Sequence, residues 1–188
     1  MMGKLRVDPW LYYIAALLVL TLPLRWLLAA LTAGAFHELC HLAAVRGLGG
    51  QVLKVRLKPG GAAIDAVLPG QGRELLAVLA GPVGSLLLLG VHRWFPRLAL
   101  CGLVQGLFNL LPVRPLDGGR ALELGTRLLC PAWTERIQFA AELSVFLCAG
   151  LTAGAIFGRA ALWLLGIGWI CRRLWRKKPC KAGRNGVQ

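Results

Sequence analysis

The chain has 188 residues, of which 57% are hydrophobic and 16% charged, and its formal charge is +14. A soluble domain averages roughly 45–50% apolar and about 25% charged, so the composition argues against a water-soluble enzyme. The basic residues lie between and beyond long apolar runs, which argues against a nucleic-acid partner and fits the cytoplasmic loops of a membrane protein.

In chain order the apolar runs cover residues 10–24, 27–45, 75–91, 98–113, 137–157 and 160–174. They predict an all-α polytopic membrane protein of about six transmembrane helices, although several runs fall short of the ~20 residues that a perpendicular helix needs. A tight turn near Pro23 and Arg25 separates the first two runs. No small-residue cleavage site follows the first, which argues against a signal peptide. With both termini cytoplasmic, that side carries 18 Lys and Arg, and the other side carries only Arg25, Arg93, Arg97 and Arg159. The positive-inside rule favours this orientation.

Between the second and third runs, residues 51–68 alternate, with Leu53, Val55 and Leu57 against Lys54, Arg56 and Lys58, and Pro59-Gly60-Gly61 interrupts them. This is the pattern of a short β-hairpin at the membrane surface. An extended peptide binds best by adding a strand to an exposed edge. Residues 53–57, with Val55 at their centre, are the candidate edge. The six cysteines form no C-x-x-C pair and read as packing residues rather than a disulfide framework.

The second run contains His37-Glu38-Leu39-Cys40-His41, which is H-E-x-x-H. On a helix, residues i and i+4 lie on one face, so two imidazoles can grip one metal. Glu38 stands about 100° round the helix, placed to take a proton from a water on that metal. The motif arises by chance in some chains, but ionisable groups inside an apolar run default to function. The bland alternative is an inward-facing polar cluster that ties helices together.

Zinc needs a third protein ligand and a position for water. His92, beside Arg93 at the end of the third run, reads as interfacial. Asp8, Asp65, Glu74, Glu123 and Glu135 fall in or near loops, and Glu142 lies near the start of the fifth run. Asp117 differs: Pro115 fixes the backbone before it, and Gly118-Gly119 permit a close-packed turn after it. Its plainer reading is a helix N-cap.

The chain resembles the site-2 protease family of intramembrane metalloproteases. His-Glu-Leu-Cys-His matches the family's first motif. Residues 109–119, Asn-Leu-Leu-Pro-Val-Arg-Pro-Leu-Asp-Gly-Gly, match the second, and Ala80-Gly81-Pro82 match the A-G-P element. The resemblance implies that His37, His41 and Asp117 bind zinc and that Glu38 is the general base. It further implies that Asn109 orients substrate or stabilises the oxyanion, and that Pro115 shapes the nearby loop. Cys40 stands where Gly or Ala is usual, and Ser85 where Asn commonly follows A-G-P-x-x.

The small size and lack of a PDZ domain look most like the family's sporulation branch, which processes a sigma-factor precursor. The 188 residues offer no counterpart to that branch's CBS domain, so ATP sensing is not carried over. The expected layout is a single transmembrane protease domain over residues 1–175, with its catalytic core at about 27–122 and a basic cytoplasmic tail over 176–188. The expected partners are a membrane-associated protein substrate, the lipid bilayer and membrane regulatory proteins, in a bacterial cell membrane. A zinc transporter or permease and a non-catalytic membrane scaffold are the rival classes. A transporter needs acids or histidines on several spans to hand the ion across, and intact Glu38 argues against the scaffold.

Overall fold

The H-E-x-x-H motif lies on α1, Leu24–Gly47, in the computed structural model, which describes residues 6–7, 13, 17, 19–58, 61–157 and 168. Leu and Ala, both strong helix formers, fill most of this helix. It stops where glycine takes over. Gly49 adopts φ +78°. The Gly49 N–H donates to the Arg46 carbonyl at 3.1 Å, and the Gly50 N–H to the Val45 carbonyl at 2.8 Å. This pair of bonds is a Schellman stop, which needs the left-handed conformation that glycine adopts without strain.

The chain leaves that stop straight into β2, Gln51–Lys58, which pairs antiparallel with β3, Gly61–Val67. The register slips by one residue between Val52 and Lys54. The hairpin is the one expected from alternation. The third strand was not expected. β1, Arg6–Val7, pairs in parallel with Arg56 and Leu57, giving the order β1-β2-β3. The edge expected along residues 53–57 is therefore covered at its second half. Unpaired strand edges recruit a nearby extended segment, and β1 fills that part here.

Four further helices follow: α2, Gln71–Leu87; α3, Pro96–Asn109; α4, Asp117–Leu129; and α5, Thr134–Phe157. A 3-10 turn, Leu88–Val91, prolongs α2. Among the described residues, three stretches are long and apolar enough to cross a membrane: Leu24–Gly47, Gln71–Val91 and Pro131–Ala155. The fourth predicted run is shorter than expected. α3 has 14 residues, about 21 Å at 1.5 Å per residue, against a hydrocarbon core of about 30 Å. Pro112 and Pro115 follow, and proline ends a helix at or before the residue preceding it. The sixth run lies outside the described residues apart from Gly168. Most of the first does too, with Tyr13, Leu17 and residues 19–21 helical.

The described chain forms two compact units, Met1–Phe139 and Ala140–Gln188. In the first, α1, α2 and α3 pack on one another, and α4 packs on α2. The central α2 buries Ala77, Val78, Gly81, Pro82, Gly84 and Ser85. Lipid supplies little driving force for helix association, so close backbone approach between small residues does the work. Gly106 of α3 sits where a Cβ would lie 3.2 Å from both the Pro82 carbonyl and the Ser85 Cβ. The second unit is represented chiefly by the end of α5.

Candidate metal centre

His37 and His41 project from one face of α1, one turn apart, with ring centroids 4.8 Å apart and the ring planes at 81°. Both turn Nε2 to the same point. The two Nε2 atoms lie 3.1 Å apart, and Asp117 Oδ2 lies 3.0 Å from that of His37 and 3.2 Å from that of His41. Ligand atoms around a tetrahedral ion held at about 2.0 Å are separated by about 3.3 Å. The triangle has that size. Two nitrogens and a carboxylate oxygen at this spacing suit a cation among them. Among the described residues, this is the one group of His, Cys, Asp and Glu that could hold a metal.

The triangle depends on room made by α2. A Cβ on Gly81 would collide with the His41 ring, and one on Gly84 with the Cys40 thiol. The A-G-P element thus lets α2 lie against the imidazole face of α1. The same helix, α2, also supplies the outer partners of the rings. His41 Nδ1–H donates to the Ala77 carbonyl at 2.8 Å. His37 Nδ1 lies 2.8 Å from Ser85 Oγ. Ser85 is fully buried and His37 is 3% exposed. Sequence reasoning marked Ser85 only as a departure from a pattern. The available signal was a hydroxyl inside an apolar helix, which needs a polar partner.

Asp117 arrives from another element. It is the first residue of α4, and its side chain turns to the histidines rather than capping the helix. Gly118 sits so close to the Leu110 carbonyl, and Gly119 to the Val113 carbonyl carbon, that a Cβ at either would overlap backbone. The helix start therefore folds tightly onto its own loop. Burial works against charge on Asp117, but its close contacts with the His37 and His41 rings outweigh it and draw the carboxyl down to about 2. The positive end of α4 favours the same charged form. Arg120 pairs with Glu74 of α2 at 2.6 Å, and Arg114 lies 3.8 Å from Glu123 and from Glu135.

Glu38 is half-buried, next in sequence to His37. Asn109 ends α3 and is half-buried. The place of a Gly34 Cβ lies 3.7 Å from Gln105 Nε2, which sets Gln105 level with Gly34. Gln105 is a polar group in this helix pair that sequence reasoning passed over. Pro115 lies two residues before Asp117 and follows a cis peptide bond. Val55 belongs to β2, opposite Ile64, and is no part of the ligand cluster. His92 is also outside it: exposed, with Nδ1–H donating to the Leu89 carbonyl at 2.9 Å.

No protein-family model matches the chain. It is 37% identical over 101 residues to a zinc metalloprotease of Methanocaldococcus jannaschii, covering 46% of this chain and 30% of that protein. It is 31% identical over 135 residues to stage IV sporulation protein FB of Bacillus subtilis, covering 64% of this chain and 47% of that protein. The chain thus spans less than half the length of the curated relatives it matches. In fold it matches the site-2 protease from Methanocaldococcus jannaschii with a TM-score of 0.59 and 24% identity, covering 88% of this chain and 87% of that one. The chain thus has the fold of a site-2 protease and is similar in sequence to a zinc metalloprotease and to a sporulation protein.

Proposed function

We propose that this integral membrane protein is a zinc-dependent endopeptidase that cleaves a peptide bond in or near the membrane segment of a protein substrate. The observation that carries the reading is the convergence of His37 Nε2, His41 Nε2 and Asp117 Oδ2 within 3.2 Å of one another beside Glu38. These three residues would hold zinc. Bound there, zinc supplies a Lewis acid that polarises a carbonyl and acidifies water. Glu38 takes a proton from the attacking water and delivers it to the leaving amine. Asn109, at the end of α3, orients the substrate or its developing oxyanion, and Pro115 shapes the loop that aims Asp117.

A helical substrate hides its carbonyls in internal hydrogen bonds, so it must be held extended. β2 starts four residues after α1 ends, and it is the element we assign to substrate capture. β1 covers Arg56 and Leu57, which leaves the part of β2 before them for the substrate. Val55→Pro removes a donor at the end of that part. It is expected to cripple cleavage while zinc content and membrane insertion stay normal, and near-normal cleavage removes β2 from substrate capture. The kinship to a sporulation protein makes a sigma-factor precursor the first substrate to try. We read both termini as cytoplasmic within a six-span plan. An impermeant thiol reagent should then reach Cys180 only after the cytoplasm is opened.

The deciding experiment compares Glu38→Gln with Asp117→Asn. Glu38→Gln should lower cleavage of a co-expressed membrane substrate by about 10²–10⁴-fold and keep about one zinc per chain. Asp117→Asn should lose zinc as well as activity, because a neutral amide is a poorer ligand than a carboxylate. Wild-type cleavage by Glu38→Gln would overturn the general-base role.

A further inference from the structure

We propose that Ser85 is a positioning residue for the metal ligand His37. Its hydroxyl accepts the Nδ1–H of that ring, and so keeps Nε2 turned to the ligand triangle with its lone pair free. The inference rests on the zinc reading above. A neutral imidazole carries its proton on one nitrogen or the other, and the partner of the outer nitrogen decides which. For His41 the choice is made by a carbonyl, Ala77, which can only accept. For His37 the partner that the geometry gives is a hydroxyl, which can donate or accept: Ser85 Oγ lies 2.8 Å from Nδ1.

Three features make this contact more than casual. Ser85 is 0% exposed and His37 is 3% exposed, so bulk water cannot substitute for the hydroxyl. The two acceptors lie eight residues apart on α2, about two turns on one face, opposite two histidines one turn apart on α1. The helix behind Ser85 also packs closely against it through glycines. A Cβ on Gly102 would lie 2.7 Å from the Ser85 carbonyl, and one on Gly106 3.2 Å from the Ser85 Cβ.

The test uses the full chain in lipid nanodiscs. Ser85→Ala removes the acceptor. Ser85→Cys keeps nearly the same volume but offers a poor acceptor. Zinc affinity is measured by chelator competition, the ligand field by the visible spectrum after cobalt substitution, and fold by thermal unfolding without metal. Loss of an outer partner of a ligand histidine costs about 10–100-fold in metal affinity. Both variants should show that loss with a shifted cobalt spectrum, and Ser85→Cys should unfold at the wild-type temperature. In ¹⁵N-histidine spectra, simplified by the presence of only three histidines, His37 should carry its proton on Nδ1 in the wild type and lose that preference in Ser85→Ala. If Ser85→Cys binds zinc as tightly as the wild type with the same cobalt spectrum, Ser85 is a packing residue and the inference fails alone. If the wild type holds neither zinc nor cobalt, the metal reading itself falls.

Discussion

His37 and His41 stand within a 24-residue helix whose neighbour covers them, whereas Asp117 opens a 13-residue helix behind an irregular loop. The spacing of the histidines is fixed by helix geometry alone. The position of the aspartate depends on how a loop folds back on itself, and on the elements that pin α4 afterwards. One arm is set by local chemistry and trimmed by packing, and the other is made almost wholly by packing. The two should therefore fail differently.

The largest effect is expected on the Asp117 arm. In Gly118→Ala the new methyl meets the Leu110 backbone carbonyl, which cannot rotate away. Overpacking of this kind costs about 1–3 kcal/mol and occasionally more, and the shift should carry Asp117 off the triangle. A lower unfolding temperature together with loss of zinc is the expected result. Wild-type values for both would mean that the close turn is not what aims the carboxylate.

A smaller effect belongs to the histidine arm, and it should be repairable. Gly84→Ala drives a methyl into the Cys40 thiol one residue before His41. Adding Cys40→Ala vacates that space. The double variant should recover most of the stability that Gly84→Ala loses, giving a coupling of about 0.5–3 kcal/mol for residues in contact. Additive losses, read by thermal unfolding, would show that α1 and α2 adjust independently at this point.

The smallest effect concerns the clamp between α4 and α2. Arg120 and Glu74 make a close pair, but half-exposed ion pairs contribute only about 0–1 kcal/mol. Arg120→Gln should leave zinc binding intact and lower stability by no more than that. A marked loss of zinc would show that Asp117 is held by the clamp rather than by its glycines.

This contrast also explains what could be read from the sequence. The pairing of His37 with His41 needs only the period of a helix, so a short motif revealed it. Asp117 was legible through the conformational limits of Pro115 and the freedom of Gly118 and Gly119. The hairpin showed in the alternation of residues 53–58. The contacts of His37 with Ser85, of His41 with Ala77, and of Gly34 with Gln105 join separate helices, and nothing local specifies them. β1 escaped notice because two residues carry no period. α3 proved shorter than its apolar run, since hydrophobicity continues through Leu110, Leu111 and Val113 after Asn109 has ended the helix.

That short helix bears on the surrounding bilayer. A hydrophobic segment about 9 Å shorter than the hydrocarbon core creates a mismatch. On the proposed six-span plan, the lipid next to α3 would thin to meet it, or headgroups and water would follow the chain inward. Either response would bring hydration down toward the end of α3, where Asn109 stands. The proposed reaction consumes water, and a short helix at this point would give it a supply. On the proposed protease reading the bilayer's own elasticity would then enter the reaction: cleavage should slow in nanodiscs of long-chain lipids and quicken in those of short-chain lipids.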